Sequence, residues 1–236
     1  MNRLLPLLLI FSISGYLSAR EIKVYNKCPF TTWAGILGKP EIPAGGGFRL
    51  NAGETKSVFM NDGWEGRFWP RTECDGNMNC ATGSCGPREQ CNGAGGEPPA
   101  SLAEFKLRGD AGLDFYDVSL VDGYNIPPAK ELAVASKTSM IFAQEILLSE
   151  EVSLRFRDIL VFQLSDGRTV ACKSGCLAYN TDQECCRGAF DTRKKCRPSE
   201  TAKLFKKACP SAYSYAFDDP TSLFTCKDAT YVVQFC

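Results

Sequence analysis

The sequence predicts a mainly β chain folded as a sandwich or barrel, on three observations. Short runs of alternating or β-branched character recur from Glu21 to Phe235. Gly and Pro clusters such as Pro43-Ala44-Gly45-Gly46-Gly47 separate them. Cysteine is dense, with thirteen in 236 residues, and the chain opens on what reads as an export signal. Many short strands divided by turns favour sheet packed on sheet, and cysteine density in an exported chain implies disulfides.

Taken in order, Glu21 to Asn26 alternates with Ile22 and Val24 on one face, a half-buried strand. Thr31 to Ile36, Phe48 to Leu50, Lys56 to Met60 and Arg67 to Thr72 are further short β runs. Cys91 to Pro99 is a Gly/Pro loop, after which Leu102 to Leu107 and Leu113 to Val118 resume strand character. Tyr231 to Phe235 is the last strand. The second half differs. Ser199 is placed to cap a helix carrying Leu204, Phe205 and Ala208 on one stripe, and Cys172 to Tyr179 reads as another short helix. A β core is thus followed by a smaller, cysteine-dense, partly helical lobe.

Composition excludes several function classes. Residues 1–19 read as a signal peptide: Asn2 and Arg3, an apolar run from Leu4 to Ile13, then Leu17-Ser18-Ala19 before the cut. That run is too short for a membrane span, and no second one follows. Basic and acidic residues balance at 27 each, so removing Arg3 leaves 26 against 27, a net charge of −1. No basic surplus exists to hold nucleic acid or an anionic membrane. The sequence has no histidine, which removes Ser-His and Cys-His catalysis and His-based zinc sites. Cys74 with Cys80, and Cys85 with Cys91, enclose more than the about two to four residues of a zinc knuckle, so oxidation is the better use of them. No metal and no cofactor are expected.

Several phrases are specific. Gly66-Arg67-Phe68-Trp69-Pro70-Arg71-Thr72-Glu73-Cys74, Cys80-Ala81-Thr82-Gly83-Ser84-Cys85 and Pro98-Pro99-Ala100-Ser101-Leu102-Ala103-Glu104-Phe105 are three of them. The run from Asp114 to Pro127, the run from Cys209 to Tyr215 and the run from Asp218 to Ser222 complete the set. Together they resemble the thaumatin family, in wording like its plant members of pathogenesis-related family five. The resemblance covers about residues 20–128 and 165–236. It implies a flattened β-sandwich core with a smaller disulfide-rich lobe, residues 20–236 forming one domain. It also implies five cystines: Cys28 with Cys236, Cys74 with Cys80, Cys85 with Cys91, Cys176 with Cys185, and Cys186 with Cys196.

One stretch departs from the family. Residues 129–164 carry no cysteine and no glycine. Ile141, Phe142, Ile146 and Leu147 keep roughly helical spacing, whereas Val152, Leu154 and Phe156 alternate. The stretch reads as a genuine replacement or insertion, or as intron or wrong-frame sequence carried into the gene's reading. The family partners of Cys172, Cys209 and Cys226 would lie in it, so the family pattern leaves these three without one.

The resemblance implies a cleft between core and second lobe lined by Arg67, Glu104, Asp117, Asp122 and one of Asp218 or Asp219, with Asp218 preferred. The chemistry stands apart from the name. Clustered carboxylates raise one another's pKa, and an arginine keeps one ionised. The split supplies the acid and the base that glycoside hydrolysis needs, with Glu104 as the acid and Asp117 or Asp122 as the base. The same groups bind sugar hydroxyls without cleavage, and Phe115, Tyr116, Tyr124 and Tyr215 are candidate stacking faces, Tyr124 being counted in the cleft. Arg71 is assigned a structural role, and Arg193-Lys194-Lys195 a solvated loop. The expected function is a secreted, extracellular, antifungal defence protein, a monomer that binds β-1,3-glucan or the fungal cell wall. A weak endo-β-1,3-glucanase is the alternative. A sweet-tasting relative is disfavoured by the absence of a basic surface.

Overall fold

A computed structural model describes residues 19–126, 139–141 and 160–236. Two sheets form the body. In the first, strand β1 (Arg20–Asn26) lies between β4 (Thr55–Met60), antiparallel to it, and β12 (Tyr231–Phe235), parallel to it. Strand β8 (Ser139–Ile141) continues the sheet beyond β12. The two outermost strands of the described sequence are therefore neighbours, and the Cys28–Cys236 bridge fastens them. The second sheet has six strands: β11 (Phe224–Cys226), β7 (Asp114–Ser119), β6 (Leu102–Lys106), β5 (Glu65–Thr72), β2 (Thr32–Lys39) and β3 (Gly47–Leu50), in that spatial order. Each strand observed in the first half overlaps the run expected there.

The sheets pack through the alternating residues that the sequence marks as apolar. Ile22, Val24, Ile36, Phe68, Tyr231, Val233 and Phe235 are all at most 1% exposed and belong to one cluster. Phe105 meets Phe68 edge-on at 5.9 Å and Tyr231 at 5.3 Å between ring centres, geometries that aromatic quadrupoles favour. At the rim of this core Asp114 is fully buried, and its two oxygens accept from the Tyr231 hydroxyl (2.7 Å) and the Arg108 amide (2.8 Å). Arg20 approaches the same carboxylate at 4.0 Å and pairs with Asp62 and Asp228.

The outer face of the six-stranded sheet is covered in part by loops. Trp69, Cys85, Cys91, Ala100 and Leu102 form a second cluster that takes in the Cys85–Cys91 bridge. Glycine at position 35 is obligatory for this packing, because a Cβ there would stand 2.2 Å from the Trp69 ring. Arg71 is fully buried and donates to the carbonyls of Arg88 and Glu89, so its role is to hold the loop backbone.

The smaller lobe begins with a hairpin of β9 (Val161–Gln163) and β10 (Thr169–Cys172). Helices α1 (Gly175–Tyr179), α2 (Glu200–Ala208) and α3 (Asp219–Ser222) follow. Ser199 accepts from Ala202 N at the start of α2, the expected cap. The helix expected over Cys172 to Tyr179 is shorter than read: Thr169–Cys172 is strand, and Ser174 caps a helix that starts at Gly175. Leu120, Tyr124, Cys172, Phe205 and Ala212 make the lobe's buried cluster against the sheet, and bridges Cys176–Cys185 and Cys186–Cys196 pin its loops. The five bridges use ten cysteines, and none includes Cys172, Cys209 or Cys226. Within the atypical stretch, Ser139–Ile141 and Val161–Gln163 are strands. The periodicities read at Phe142, Ile146, Leu147, Val152, Leu154 and Phe156 lie outside the described residues.

Candidate functional site

Strand register assembles the site. Leu37 pairs with Arg67, Arg67 with Glu104, and Glu104 with Asp117, giving one row across β2, β5, β6 and β7. Two residues along lies a second row, Lys39, Glu65, Lys106 and Phe115. Alternate residues share a face, so both rows look outward, about 7 Å apart. Their sequence neighbours Phe105 and Tyr116 point the other way, into the sandwich, where they stack on each other.

The uncovered part of this face is the floor of a cleft with two adjoining chambers of about 770 Å³ and 410 Å³. Both chambers share Arg67, Glu104 and Asp117 on the floor and Tyr213 and Asp219 on the wall. The larger extends past Phe115, Lys106 and Leu223, and the smaller past Ser119 and Asp122. The wall comes from the smaller lobe, so the groove runs between sheet and lobe.

Burial and like charge set the protonation. Asp117 is pushed up to about 8, first by burial, then by Glu104 and then by Asp219. Glu104 is also raised, by burial first, with Arg67 opposing and Asp122 adding to the rise. Directly paired residues on neighbouring strands hold their Cβ atoms about 5 Å apart, so two full negative charges there repel strongly. Asp117 is therefore the carboxyl more strongly biased toward its protonated form, whereas the sequence places the acid at Glu104 and the base at Asp117 or Asp122. Among the described residues, Asp117 Oδ1 and Arg67 Nε are buried and find no hydrogen-bond partner. Arg67 is packed beneath the Gly/Pro loop, where a Cβ on residue 95 would stand 3.3 Å from its Nη2.

Other expected site residues go elsewhere. Asp218 is 8% exposed and lines neither chamber. Its carboxylate accepts from Ser214 N (3.0 Å), Ser214 Oγ (2.9 Å) and Thr221 Oγ1 (3.2 Å), with Lys206 Nζ at 3.1 Å. Asp219 takes the place given to Asp218: it faces the groove, accepting from the Tyr213 hydroxyl at 3.1 Å and from Arg193. Tyr124 is buried in the lobe's cluster, and its pKa is raised by burial first. It does not line the cleft. Of the four candidate stacking faces only Phe115 borders the groove. Tyr213 was missed, although it sits within the run from Cys209 to Tyr215 that singled out Tyr215. Among the described residues no group of three metal-ligating side chains could hold an ion, and no helix is long and apolar enough to cross a membrane.

The sequence profile of the Thaumatin family matches residues 26–236. The chain belongs to that family. Pathogenesis-related protein 5 of Arabidopsis thaliana is 44% identical over 236 residues, covering 98% of this chain and 96% of that protein. Thaumatin-like protein 1 of Castanea sativa is 42% identical over 237 residues, covering 97% and 95%. Among solved structures, the thaumatin-like xylanase inhibitor aligns with 24% identity and a TM-score of 0.37, over 45% of this chain and 74% of its own. Kinship with pathogenesis-related proteins supports a defence role, and that kinship together with five cystines fits export.

Proposed function

We propose that this thaumatin-like protein is a secreted defence protein that binds β-1,3-glucan in the groove between its sheet and its smaller lobe. The observation that carries the reading is that one groove gathers Arg67, Glu104 and Asp117 on its floor and Tyr213 and Asp219 on its wall. These side chains offer both donors and acceptors, as a polyhydroxyl ligand requires. Protonated Asp117 donates to a sugar oxygen, while the Asp219 carboxylate on the wall accepts from hydroxyls. Phe115 offers a face to the C–H side of a ring. Near-zero net charge suits a neutral glycan.

The alternative of a weak endo-β-1,3-glucanase rests on the protonation split between Asp117 and the other acids. Retaining glycosidases hold their carboxyls about 5–5.5 Å apart on opposite sides of the bond. Glu104 and Asp117 lie side by side on one floor, so any base would come from the wall, at Asp219, or from Asp122 in the smaller chamber. Incubation with laminarin separates the readings. Pull-down without new reducing ends supports binding alone, new reducing ends lost in Asp117→Asn support hydrolysis, and the absence of both pull-down and new reducing ends overturns the glucan reading.

A further inference from the structure

One cationic side chain of the smaller lobe engages a wall residue of the cleft although the sequence reads it as surface. Arg193 opens the basic run Arg193-Lys194-Lys195, all exposed. Lys194 and Lys195 stay in solvent, whereas the guanidinium of Arg193 pairs with Asp219 Oδ2. Tyr213 donates to the other oxygen of the same carboxylate. Both oxygens are thus engaged, and they are engaged from two separate segments of chain. Asp219 is also the wall residue common to the two chambers, and its charge reaches Asp117 on the floor.

The loop that delivers Arg193 is built to be fixed. The Cys186–Cys196 bridge closes it, Cys196 is 1% exposed, and the amides of Lys195 and Cys196 both donate to Thr192 O, at 3.0 Å and 2.8 Å. Tyr215, Arg197 and Asp218 stand close enough to act on the same neighbourhood electrostatically. A surface ion pair contributes little to stability because water screens it. A pair that orients a ligand-contacting group acts differently, since it fixes a hydrogen-bond acceptor before the ligand arrives.

We propose that Arg193 is a positioning residue of the ligand cleft: from its cystine-closed loop it holds Asp219 in place as an acceptor for the hydroxyls of a neutral glycan. The inference rests on the glucan reading for its ligand. Laminarihexaose binding by the full mature chain tests it, measured calorimetrically for wild type, Arg193→Gln, Arg193→Lys, Asp219→Asn and the double variant Arg193→Gln/Asp219→Asn. Arg193→Gln is expected to weaken binding about twofold to fivefold, the size of coupling that exposed charge pairs reach. Arg193→Lys restores most of it. The double variant binds no worse than Asp219→Asn alone, because Arg193 acts through that carboxylate. Lys194→Gln controls for net charge and leaves binding unchanged.

Wild-type affinity in Arg193→Gln overturns the inference, and so do additive losses in the double variant or an equal loss in Lys194→Gln. Wild-type protein that ignores laminarihexaose overturns the glucan reading and, with it, the role of Arg193 toward this ligand. The two failures are told apart by NMR of the guanidinium groups. A slowly exchanging Arg193 signal that disappears in Asp219→Asn supports the ion pair whatever the ligand, and its absence in wild type overturns the pair itself.

Discussion

Asp117→Asn should make the protein more stable, by an amount that depends on pH in one direction only. The ordinary aspartate pKa is 3.8, and in the cleft Asp117 rises to about 8. Between those values the folded chain holds a proton that the unfolded chain has released, so stability is lost as pH rises from one to the other. Each pH unit in that window costs ~1.4 kcal/mol, or about 4 kcal/mol by pH 7 in full. Water entering an open cleft screens part of this, and about 2 kcal/mol is the expected net. Asparagine keeps the shape, cannot ionise, and removes the like charge beside Glu104. The assay is urea unfolding from pH 4 to pH 9, followed by the fluorescence of buried Trp64 and Trp69. The gain from the substitution should be near zero at pH 4, increase steadily to about pH 8 and then level off. A constant difference across the range, or one that increases as pH falls, would refute the claim that burial and Glu104 hold Asp117 protonated.

Affinity for laminarin should fall as pH rises through about 8, when Asp117 ceases to donate, as affinity electrophoresis at several pH values can measure. Asp218→Asn should cost about 2–4 kcal/mol in chemical denaturation, because it leaves partly buried Lys206 without its charge partner, whereas the same change at Asp219 should cost under about 1 kcal/mol and act on ligand affinity instead. Gly35→Ala should lower thermal stability by about 2–4 kcal/mol, since the new Cβ meets the Trp69 ring. Replacing Cys28 and Cys236 together by serine should cost about 2–5 kcal/mol by urea titration, given the 208-residue separation that the bridge spans.

Most of the sheet architecture was legible because its signals are local. Alternation in Glu21 to Asn26 and in Tyr231 to Phe235 marks buried faces directly, and Gly/Pro clusters mark the ends of strands. Parallel pairing of these two strands was not legible, since it joins residues about as far apart in sequence as the fold allows. The floor of the cleft came through family phrases, and physical register explains why they work. Arg67, Glu104 and Asp117 belong to three separate phrases, yet each holds an outward position in a strand that pairs with the next. Tyr116 and Tyr124 show the limit. One side chain turns inward between the outward neighbours Phe115 and Asp117, and the other is drawn beneath Phe205 and Leu120. Aromatic identity alone does not report which way a ring faces.

The choice between Asp218 and Asp219 shows what decides the rest. Adjacent residues leave a short helix in different directions, so one of two neighbouring acids must turn inward when the other faces the groove. Lys206 lies on the face of α2 that meets the loop, where its ammonium also bonds Ala212 O (3.0 Å) and Ser222 Oγ (2.8 Å). That cation, with the Ser214 amide and hydroxyl, makes the inward position suitable for a carboxylate and claims Asp218. Asp219 is then left to the groove, where Tyr213 and Arg193 receive it. The wall of the cleft is consequently specified by residues of the smaller lobe that do not themselves line it. Lys206 removes one acid from the site, and Arg193 fixes the other within it. Changes in the smaller lobe can therefore alter ligand recognition while every side chain on the sheet floor stays in place.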